Sequence, residues 1–296
     1  MSIRTGNTAW DITTDRLTVR VARPGCIYRR TRFDWTGFIT DVILDGRHTF
    51  CSVESLHPLE GAGGVGLCNE FGIHEPVGYT DAAVGDRFPK LGIGLLAKPD
   101  DAPYFFMRDY PLEPFACDAQ LLGNGIRFEL APAPCRGYAV RLVKTLTVAG
   151  NEIRMGYRLA NEGERPVETT EYNHNFLLLN GHPVGPDHVV TFTAPLTFRR
   201  NDGTVWTESG VLAAPENPKV FYGLCETVPA VDAIGWTLRH GPSGLAVSER
   251  LDARPVRIAC WGMPHVISPE LFHGIRLQPG ETAEWNRIWT FNTRDE

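Results

Sequence analysis

The sequence predicts an all-β protein, a large antiparallel β-sandwich built as one domain over residues 1–296. Short runs of alternating apolar and polar residues recur along the chain, as expected for half-buried strands. The 30 glycines and 22 prolines interrupt the sequence so often that long helices have little room. Many short strands separated by turn residues are typical of a sandwich or barrel. No internal repeat, low-complexity tract or linker divides the sequence, which favours one domain.

The predicted strands begin near the N-terminus. Residues 17–21 alternate cleanly, residues 38–44 form a second β-rich run, and Asp45-Gly46 is a turn signal, so we expect an N-terminal hairpin. Residues 141–148 and 153–159 alternate on either side of a short glycine-containing turn, which predicts another hairpin. Further strands are expected at 167–176, 188–193, 234–239, 244–249, 255–261 and 284–291.

Residues 61–98 differ from the rest of the chain. This segment is rich in glycine and proline and weakly periodic, so we expect long irregular loops. Such loops on a rigid β scaffold often carry function. The polar residues that stand among the small ones here are Asn69, Glu70, His74, Asp81 and Lys90.

Composition narrows the class of protein. A hydrophobic content of 43%, a charged content of 22% and a net charge of -6 describe a soluble globular chain. Lysine and arginine are scattered, so nucleic acid is not an expected partner. Residues 1–16 lack the apolar core of a secretory signal, and no apolar stretch is long enough to span a membrane. The seven cysteines include no Cys-x-x-Cys pair, which argues against a disulfide framework and predicts a cytoplasmic protein.

A histidine on a predicted strand is the first candidate for chemistry. In residues 169–181, alternation puts Thr170, Tyr172, His174 and Phe176 on one face. A rigidly held imidazole suits proton transfer, and aromatic neighbours suit the apolar face of a sugar ring. The alternative is a core histidine whose ring is satisfied by hydrogen bonds within the sheet.

A carboxylate near the C-terminus is the second candidate. Glu270 follows a strand end and turn residues and has apolar neighbours, which could raise its pKa toward that of a useful base. The alternative is a solvated carboxylate in a turn. A Pro279-Gly280 turn leads from this region to the last predicted strand.

Both regions resemble a known family. The segment Thr170-Glu171-Tyr172-Asn173-His174-Asn175-Phe176 resembles the Thr-Asn-His-x-x-Phe strand of the aldose 1-epimerases, or galactose mutarotases. Ile267-Ser268-Pro269-Glu270, followed by Leu277-Gln278-Pro279-Gly280-Glu281, is similar to that family's catalytic glutamate and the turn beyond it. The resemblance implies an outlying member with the family's large antiparallel sandwich. It implies His174 as general acid and Glu270 as general base.

The implied reaction is the interconversion of α and β anomers of a monosaccharide or sugar derivative, without a metal or organic cofactor. Glu270 would take the proton of the anomeric hydroxyl while His174 protonates the ring oxygen. The ring opens, the C1–C2 bond rotates, and closure gives the other anomer. We expect the two side chains to face each other across one cleft about as wide as a sugar ring. We also expect a bell-shaped pH profile with an acidic limb from Glu270 and a basic limb from His174.

The substrate-binding residues depart from the family pattern. The family's Gly-Arg-x-Ala-Asn-Arg segment corresponds here to Gly66-Leu67-Cys68-Asn69-Glu70-Phe71, so both arginines are missing. His74 is a candidate for a second active-site histidine, at a shorter spacing than usual. The residues proposed to replace the missing contacts are Arg32, Glu70 and Lys90, against the alternative of ordinary structural ion pairs. Tyr172 is a further candidate for substrate binding.

Two other functions remain open from the sequence. One is a non-catalytic carbohydrate-binding protein, and the other is a lyase or hydrolase that pairs Glu70 with Glu270. A metal enzyme is disfavoured because His174, His182 and His188 show no metal-binding spacing. The sequence identifies neither the sugar nor the oligomeric state.

Overall fold

The computed structural model describes residues 1–57, 60–200, 205–207, 211–215 and 219–293. Within these residues the regular structure is β-strand apart from one turn of 3-10 helix at Leu179–Gly181. The first strands are β1 (Ser2–Thr5), β2 (Ala9–Thr13), β3 (Leu17–Ala22), β4 (Ile39–Leu44), β5 (His48–Thr49), β6 (Leu67–Phe71), β7 (Arg87–Lys90) and β8 (Gly94–Ala97). The next are β9 (Leu112–Pro114), β10 (Cys117–Leu122), β11 (Gly125–Leu130), β12 (Val140–Ala149), β13 (Glu152–Asn161), β14 (Val167–Asn175), β15 (His188–Phe192) and β16 (Phe198–Arg200). The last are β17 (Val205–Thr207), β18 (Val211–Ala213), β19 (Phe221–Cys225), β20 (Ile234–His240), β21 (Ala246–Leu251), β22 (Pro255–Met263), β23 (Val266–Leu277) and β24 (Thr282–Asn292).

These strands form two large sheets and one small one. The first sheet runs β1-β2-β3-β4-β6-β14-β23-β22-β19-β16-β17, with β5 paired to β4. The second runs β10-β11-β12-β13-β24-β21-β20-β15-β18, and β7, β8 and β9 form the small sheet. Every strand pair is antiparallel. The predicted large antiparallel sandwich is confirmed.

The core lies between the two large sheets. Phe71 of the first sheet meets Trp285 of the second with ring centroids 6.4 Å apart, and Trp10 meets Phe128 at 6.0 Å. The inward residues of β12 and β13 are buried at every second position, which is the pattern expected when one sheet face packs on a core. Burial of this apolar surface is the main force that holds the sheets together.

The predicted hairpins are found, with one difference in the connection. Strands β12 and β13 pair along their whole length around Gly150, which has a φ of 53°. Strands β3 and β4 also pair, but residues 23–38 join them instead of a tight turn. The Asp45-Gly46 turn follows β4, with φ of 53° and 69° at its two residues. Both values lie in the left-handed region that this dipeptide tolerates well.

The expectation of long irregular loops over residues 61–98 is wrong in part. Strands β6, β7 and β8 all lie in this range, and β6 is buried at each of its positions. Its sequence Leu67-Cys68-Asn69-Glu70-Phe71 contains polar residues on both faces, so it shows no apolar alternation. The reason is that both of its faces are covered by protein, and its polar side chains are paired with other buried polar groups.

A layer of buried charges crosses the core behind β14. Arg287 of β24 donates from Nε and Nη2 to Glu171, at 2.9 and 2.8 Å, and from Nη1 to Glu249. Trp285 Nε1 donates to the same Glu171 carboxylate at 3.1 Å, and Asn175 Nδ2 donates to Glu249 at 2.9 Å. The Arg287 side chain and both carboxylates have no solvent exposure. The ionic contacts therefore connect β14 of the first sheet to β21 and β24 of the second.

The burial of β14 on both faces follows from this layer. Glu171, Asn173 and Asn175 point into the core, while Tyr172 and His174 point to the opposite side of the sheet. The alternation predicted from the sequence for this strand is confirmed. The polar side chains of β14 point inward because Arg287 lies there and pairs with Glu171.

Removal of the central cation should destabilise the fold strongly. Replacing one partner of a buried ion pair leaves uncompensated buried charge, at a cost of about 3–5 kcal/mol. We expect Arg287→Met to lower the free energy of unfolding by an amount in this range, measured by chemical denaturation. Arg158→Met is the matched control, because Arg158 pairs with Glu284 at the surface of the neighbouring strand and such pairs contribute about 0–1 kcal/mol. Equal losses in the two variants would contradict a structural role for the buried layer.

Candidate functional site

A cavity of about 530 Å³ lies on the outer face of the first sheet. Its floor consists of side chains from neighbouring strands β14, β23, β22 and β19. Residues of connecting segments supply its walls: Arg32, Glu54, Ser55, Glu60, Gly61, Ile73, His74, Phe106 and Met107. His174 and Glu270 both line it, with 6% and 5% of their surfaces exposed. The two residues that the sequence singled out therefore share one site.

The strand register puts these two side chains next to each other. Backbone pairing of β14 with β23 runs from Val167↔Leu277 to Tyr172↔Phe272. Continuing that register by two residues sets His174 opposite Glu270, and the side chains meet with Nδ1 and Oε1 3.3 Å apart. On the far side, Glu270 faces Ala259 of β22, whose small side chain leaves the floor open. The pair is in contact, so the expected separation by the width of a sugar ring is not found.

Ser268 links the two groups. Its Oγ lies 2.8 Å from His174 Nδ1 and 3.2 Å from Glu270 Oε1, and it accepts the backbone N–H of Asn175 at 2.9 Å. A serine hydroxyl has one proton and two lone pairs, so these three contacts use its full capacity. Among the residues that the structure describes, none hydrogen-bonds to His174 Nε2. That nitrogen is not enclosed, which leaves it open to the cavity.

Burial changes the protonation of both groups. It raises the pKa of Glu270 to about 8, although Arg32 and the Ser268 hydroxyl act in the opposite direction. It lowers the pKa of His174 well below its ordinary value, and the positive charge of Arg32 adds to that effect. Both shifts favour the uncharged form, as expected when titratable groups leave water. Burial therefore favours a protonated carboxyl beside a neutral imidazole at neutral pH.

Aromatic rings fix the orientation of the imidazole. The ring of Phe176 stacks on His174 with centroids 4.1 Å apart, and Trp261 contacts it edge-on at 5.4 Å. Gly64 lies against Phe176, and a Cβ at that position would overlap the ring. The imidazole is thus held between packed side chains, and its approach to the cavity is defined.

Arg32 is the centre of a buried polar cluster beside the pair. It donates from Nε to Glu70 at 3.0 Å, from Nη1 to Glu54 at 2.9 Å, and from Nη2 to the Tyr172 hydroxyl at 3.1 Å. Tyr172 in turn donates to Glu70 at 2.7 Å, and its ring stacks on Phe272. Arg32, Glu54 and Tyr172 line the cavity, whereas Glu70 is fully buried beneath it.

The remaining candidate contacts lie in different surroundings. Lys90 is fully buried and donates to Glu70 at 3.2 Å and to the Phe71 carbonyl at 2.7 Å, so it acts through Glu70 and does not line the cavity. His74 does line the cavity, and its Nε2 accepts a hydrogen bond from Arg257 Nη1 at 2.8 Å. The carboxylate pair considered for a hydrolase or lyase is not present in the cavity, because Glu70 is enclosed and fully bonded.

Sequence reasoning missed several cavity residues, among them Arg257, Tyr222 and Glu54. Arg257 lies on β22 next to β23, Tyr222 lies on β19 beyond it, and Glu54 lies in a connecting segment. Arg257 falls on the same face as Trp261 in a predicted strand, but nothing in the sequence placed that strand beside Glu270. Tyr222 and Glu54 carried no such signal, since strand order and loop position depend on long-range packing.

Comparison with solved structures identifies the fold. A galactose mutarotase related enzyme from Lactobacillus acidophilus superposes with a TM-score of 0.62 at 11% identity, covering 97% of this chain and 98% of that chain. A galactose mutarotase-like protein from Lactobacillus casei gives 0.61 at 13%, covering 96% and 100%. The chain has the galactose mutarotase-like fold. The aldose epimerase homologue from C. elegans gives 0.53 at 11%, covering 96% and 98%. No protein-family model and no curated protein matches the sequence.

The mutarotase-like fold carries a second, larger groove of about 740 Å³. It borders the first cavity at His74 and continues along Thr170 and Gly274, but neither His174 nor Glu270 lines it. The contact between His174 and Glu270 belongs to the smaller cavity.

Three further histidines of this mutarotase-like fold form a separate cluster. The rings of His182 and His188 lie against the ring of His240, with centroids 4.3 and 4.7 Å from it, and His174 is elsewhere. Across the described ranges, no group of three or more His, Cys, Asp or Glu residues could hold a metal ion. In the same residues, no helix is long and apolar enough to cross a membrane.

Proposed function

We propose that this protein is an aldose 1-epimerase-like isomerase that interconverts the α and β anomers of a monosaccharide or sugar derivative. One observation carries the proposal: a carboxyl and an imidazole, bridged by Ser268, open together into a cavity lined by aromatic side chains. Anomerisation needs a proton removed from one oxygen and a proton delivered to another, and both oxygens are bonded to the same carbon. Because these two oxygens are close together, two protein groups that are in contact with each other can reach both of them.

The neutral state of the pair supports a proton relay. The Glu270 carboxyl proton moves to Ser268 Oγ as the serine proton moves to His174 Nδ1. His174 Nε2 gives its proton to the ring oxygen, and the free oxygen of Glu270 takes the proton of the anomeric hydroxyl. The C1–O5 bond breaks, and the aldehyde forms. Each group ends with the number of protons it began with, and reclosure after rotation about C1–C2 restores the starting tautomers.

This relay keeps the roles that the family resemblance implies. His174 is the acid toward the ring oxygen and Glu270 is the base toward the hydroxyl, without an imidazolium or an isolated carboxylate before the substrate reacts. Such charged forms are costly in an enclosed site, which is why a shared proton is favourable there. Ser268 is a positioning residue that also conducts the proton.

The acid–base pair should be essential and should act as a unit. We expect Glu270→Gln and His174→Asn each to lower kcat by about 10²-fold or more, because each removes a proton-transfer group. The double variant should be scarcely worse than either single one, since groups acting on one transition state are non-additive. Ser268→Ala should give a smaller loss, with KM little changed. Polarimetry on freshly dissolved aldoses, corrected for the spontaneous rate, measures these effects.

The control variants make the same two replacements, Glu to Gln and His to Asn, at positions away from the cavity. Glu284→Gln and His48→Asn alter surface residues on other strands and should retain full activity. A folded His174→Asn protein with undiminished turnover would rule out the proposed pair. Heat of sugar binding without any turnover in the unaltered protein would instead favour a non-catalytic carbohydrate-binding protein.

The pH dependence should report the protonation of the pair. Because the pKa of Glu270 is raised to about 8, the relay loses its proton and kcat/KM should fall as the pH rises through about 8. Because the pKa of His174 is lowered, a second proton enters only well below pH 6.5, and the acidic limb should lie there. The limbs thus have the opposite assignment to the one expected from the sequence. They are properties of the coupled pair, measured as kcat/KM across a pH series. A profile that is flat from pH 7 to pH 9 would contradict the relay.

A further inference from the structure

Arg257 holds a particular position in the cavity. It lies on β22 directly opposite Phe272 of β23, which in turn is opposite Tyr172 of β14, so the three form one row across the floor. His174 and Glu270 belong to the next row. Arg257 is partly exposed and lines the cavity, and its guanidinium lies over the Phe272 ring at 5.0 Å.

The partners of Arg257 are uncharged. One terminal nitrogen contacts His74 Nε2 at 2.8 Å and the other donates to the Tyr222 hydroxyl. Among the described residues no carboxylate lies within ion-pair distance of it, and its Nε is enclosed without a partner. Most of the five N–H donors of a guanidinium are therefore unfilled. Arg32, by contrast, is held by the two carboxylates Glu54 and Glu70.

The charges around the cavity leave Arg257 unbalanced. Arg32 and Lys90 are compensated by Glu54 and Glu70, which gives two positive and two negative charges in one buried cluster. Glu60 also lines the cavity but is exposed to solvent, where water screens its charge. Glu270 also lines the cavity, but its burial favours the uncharged form. The positive charge of Arg257 beside the binding site thus has no charged buried counterpart.

The spacing between Arg257 and the acid–base pair fits one sugar. Glu270 is opposite Ala259, and Arg257 is two residues further along the same strand. Diagonal neighbours of this kind have Cβ atoms about 7–8 Å apart, so their side chains can reach two ends of one small ligand. A pyranose whose C1 lies at Glu270 and His174 would thus present its far substituents to Arg257.

We propose that Arg257 binds a carboxylate on the sugar, so that the substrate is an aldose derivative with one acidic group, as in a uronic acid. This inference rests on the proposed isomerase function and names its substrate class. A planar guanidinium matches a carboxylate through two parallel hydrogen bonds. A single negative charge balances Arg257, whereas a phosphate brings about -1.5 to -2 and would leave excess negative charge in the cavity. His74 and Tyr222 hold the guanidinium in place until the ligand arrives.

The test compares three sugars on one set of proteins. Polarimetry gives kcat/KM for D-glucuronate, D-glucose and D-glucose 6-phosphate with the unaltered chain, Arg257→Met, Arg257→Lys and Arg254→Met. We expect the unaltered chain to prefer glucuronate over glucose, and Arg257→Met to lower that preference about 10- to 100-fold, the range for loss of a hydrogen-bonded charge pair. Arg257→Lys keeps the positive charge but loses the planar guanidinium with its two parallel N–H donors, so an intermediate preference is expected. Arg254→Met is the matched control, since Arg254 is an exposed arginine on the segment just before β22 and should leave the preference unchanged.

The outcomes separate this inference from the isomerase function. Turnover of glucose with no preference for glucuronate, or a preference that survives in folded Arg257→Met, overturns the inference and leaves the isomerase intact. An Arg257-dependent preference for glucose 6-phosphate overturns the carboxylate in favour of a phosphate. If no sugar is turned over, the isomerase function fails, and calorimetry with glucuronate decides the anion site. Binding that is lost in Arg257→Met supports the site, and equal binding to both proteins overturns it.

Discussion

The contact on which this structure depends most is the one between Arg287 and its two carboxylates, Glu171 and Glu249. All three side chains lie in the core, where a charge without a partner is very costly, so the sheets must approach in the register that joins them. An apolar core tolerates small shifts of one sheet over the other, whereas a bidentate ion pair does not. Since Glu171 lies on β14, this contact also fixes the strand whose opposite face carries Tyr172 and His174. The cavity floor is thus held rigid by the Arg287 contacts on the opposite, core-facing side of the sheet.

The same enclosure sets the chemistry of the site. His174 and Glu270 are covered by aromatic rings and the walls of the cavity, so burial pushes both toward their uncharged forms. Arg32 alone would favour an ionised Glu270. However, Arg32 is paired with Glu54 and Glu70, and their negative charges offset much of its effect on Glu270. Burial thus favours a protonated carboxyl beside a neutral imidazole. In a site open to water the carboxyl would ionise at neutral pH, because its ordinary pKa is about 4.3.

Sequence alone predicted the architecture and singled out His174 and Glu270, which the structure brings together in one cavity, and the physical reasons are specific. Alternation revealed β12, β13 and β14, because each has one face with a consistent environment. It failed at β6, where both faces are buried and Glu70 pairs with Arg32 from a distant segment. The family resemblance led to His174 and Glu270, but their contact follows from the pairing of β14 with β23. Arg257 lay within a predicted strand, yet its place beside Glu270 depends on strand order, which no local pattern contains.

The sheet supplies the floor of the cavity and the connecting segments supply its walls, which affects how the cavity can change. His174 and Glu270 stand on two central strands that are fixed from the core side, while Glu54, Arg32, Phe106 and Met107 come from connecting segments that meet above them. Insertions and substitutions in connecting segments are tolerated far better than changes in a sheet interior. Changes in these segments would therefore reshape the walls of the cavity and leave the floor that carries His174 and Glu270 in place.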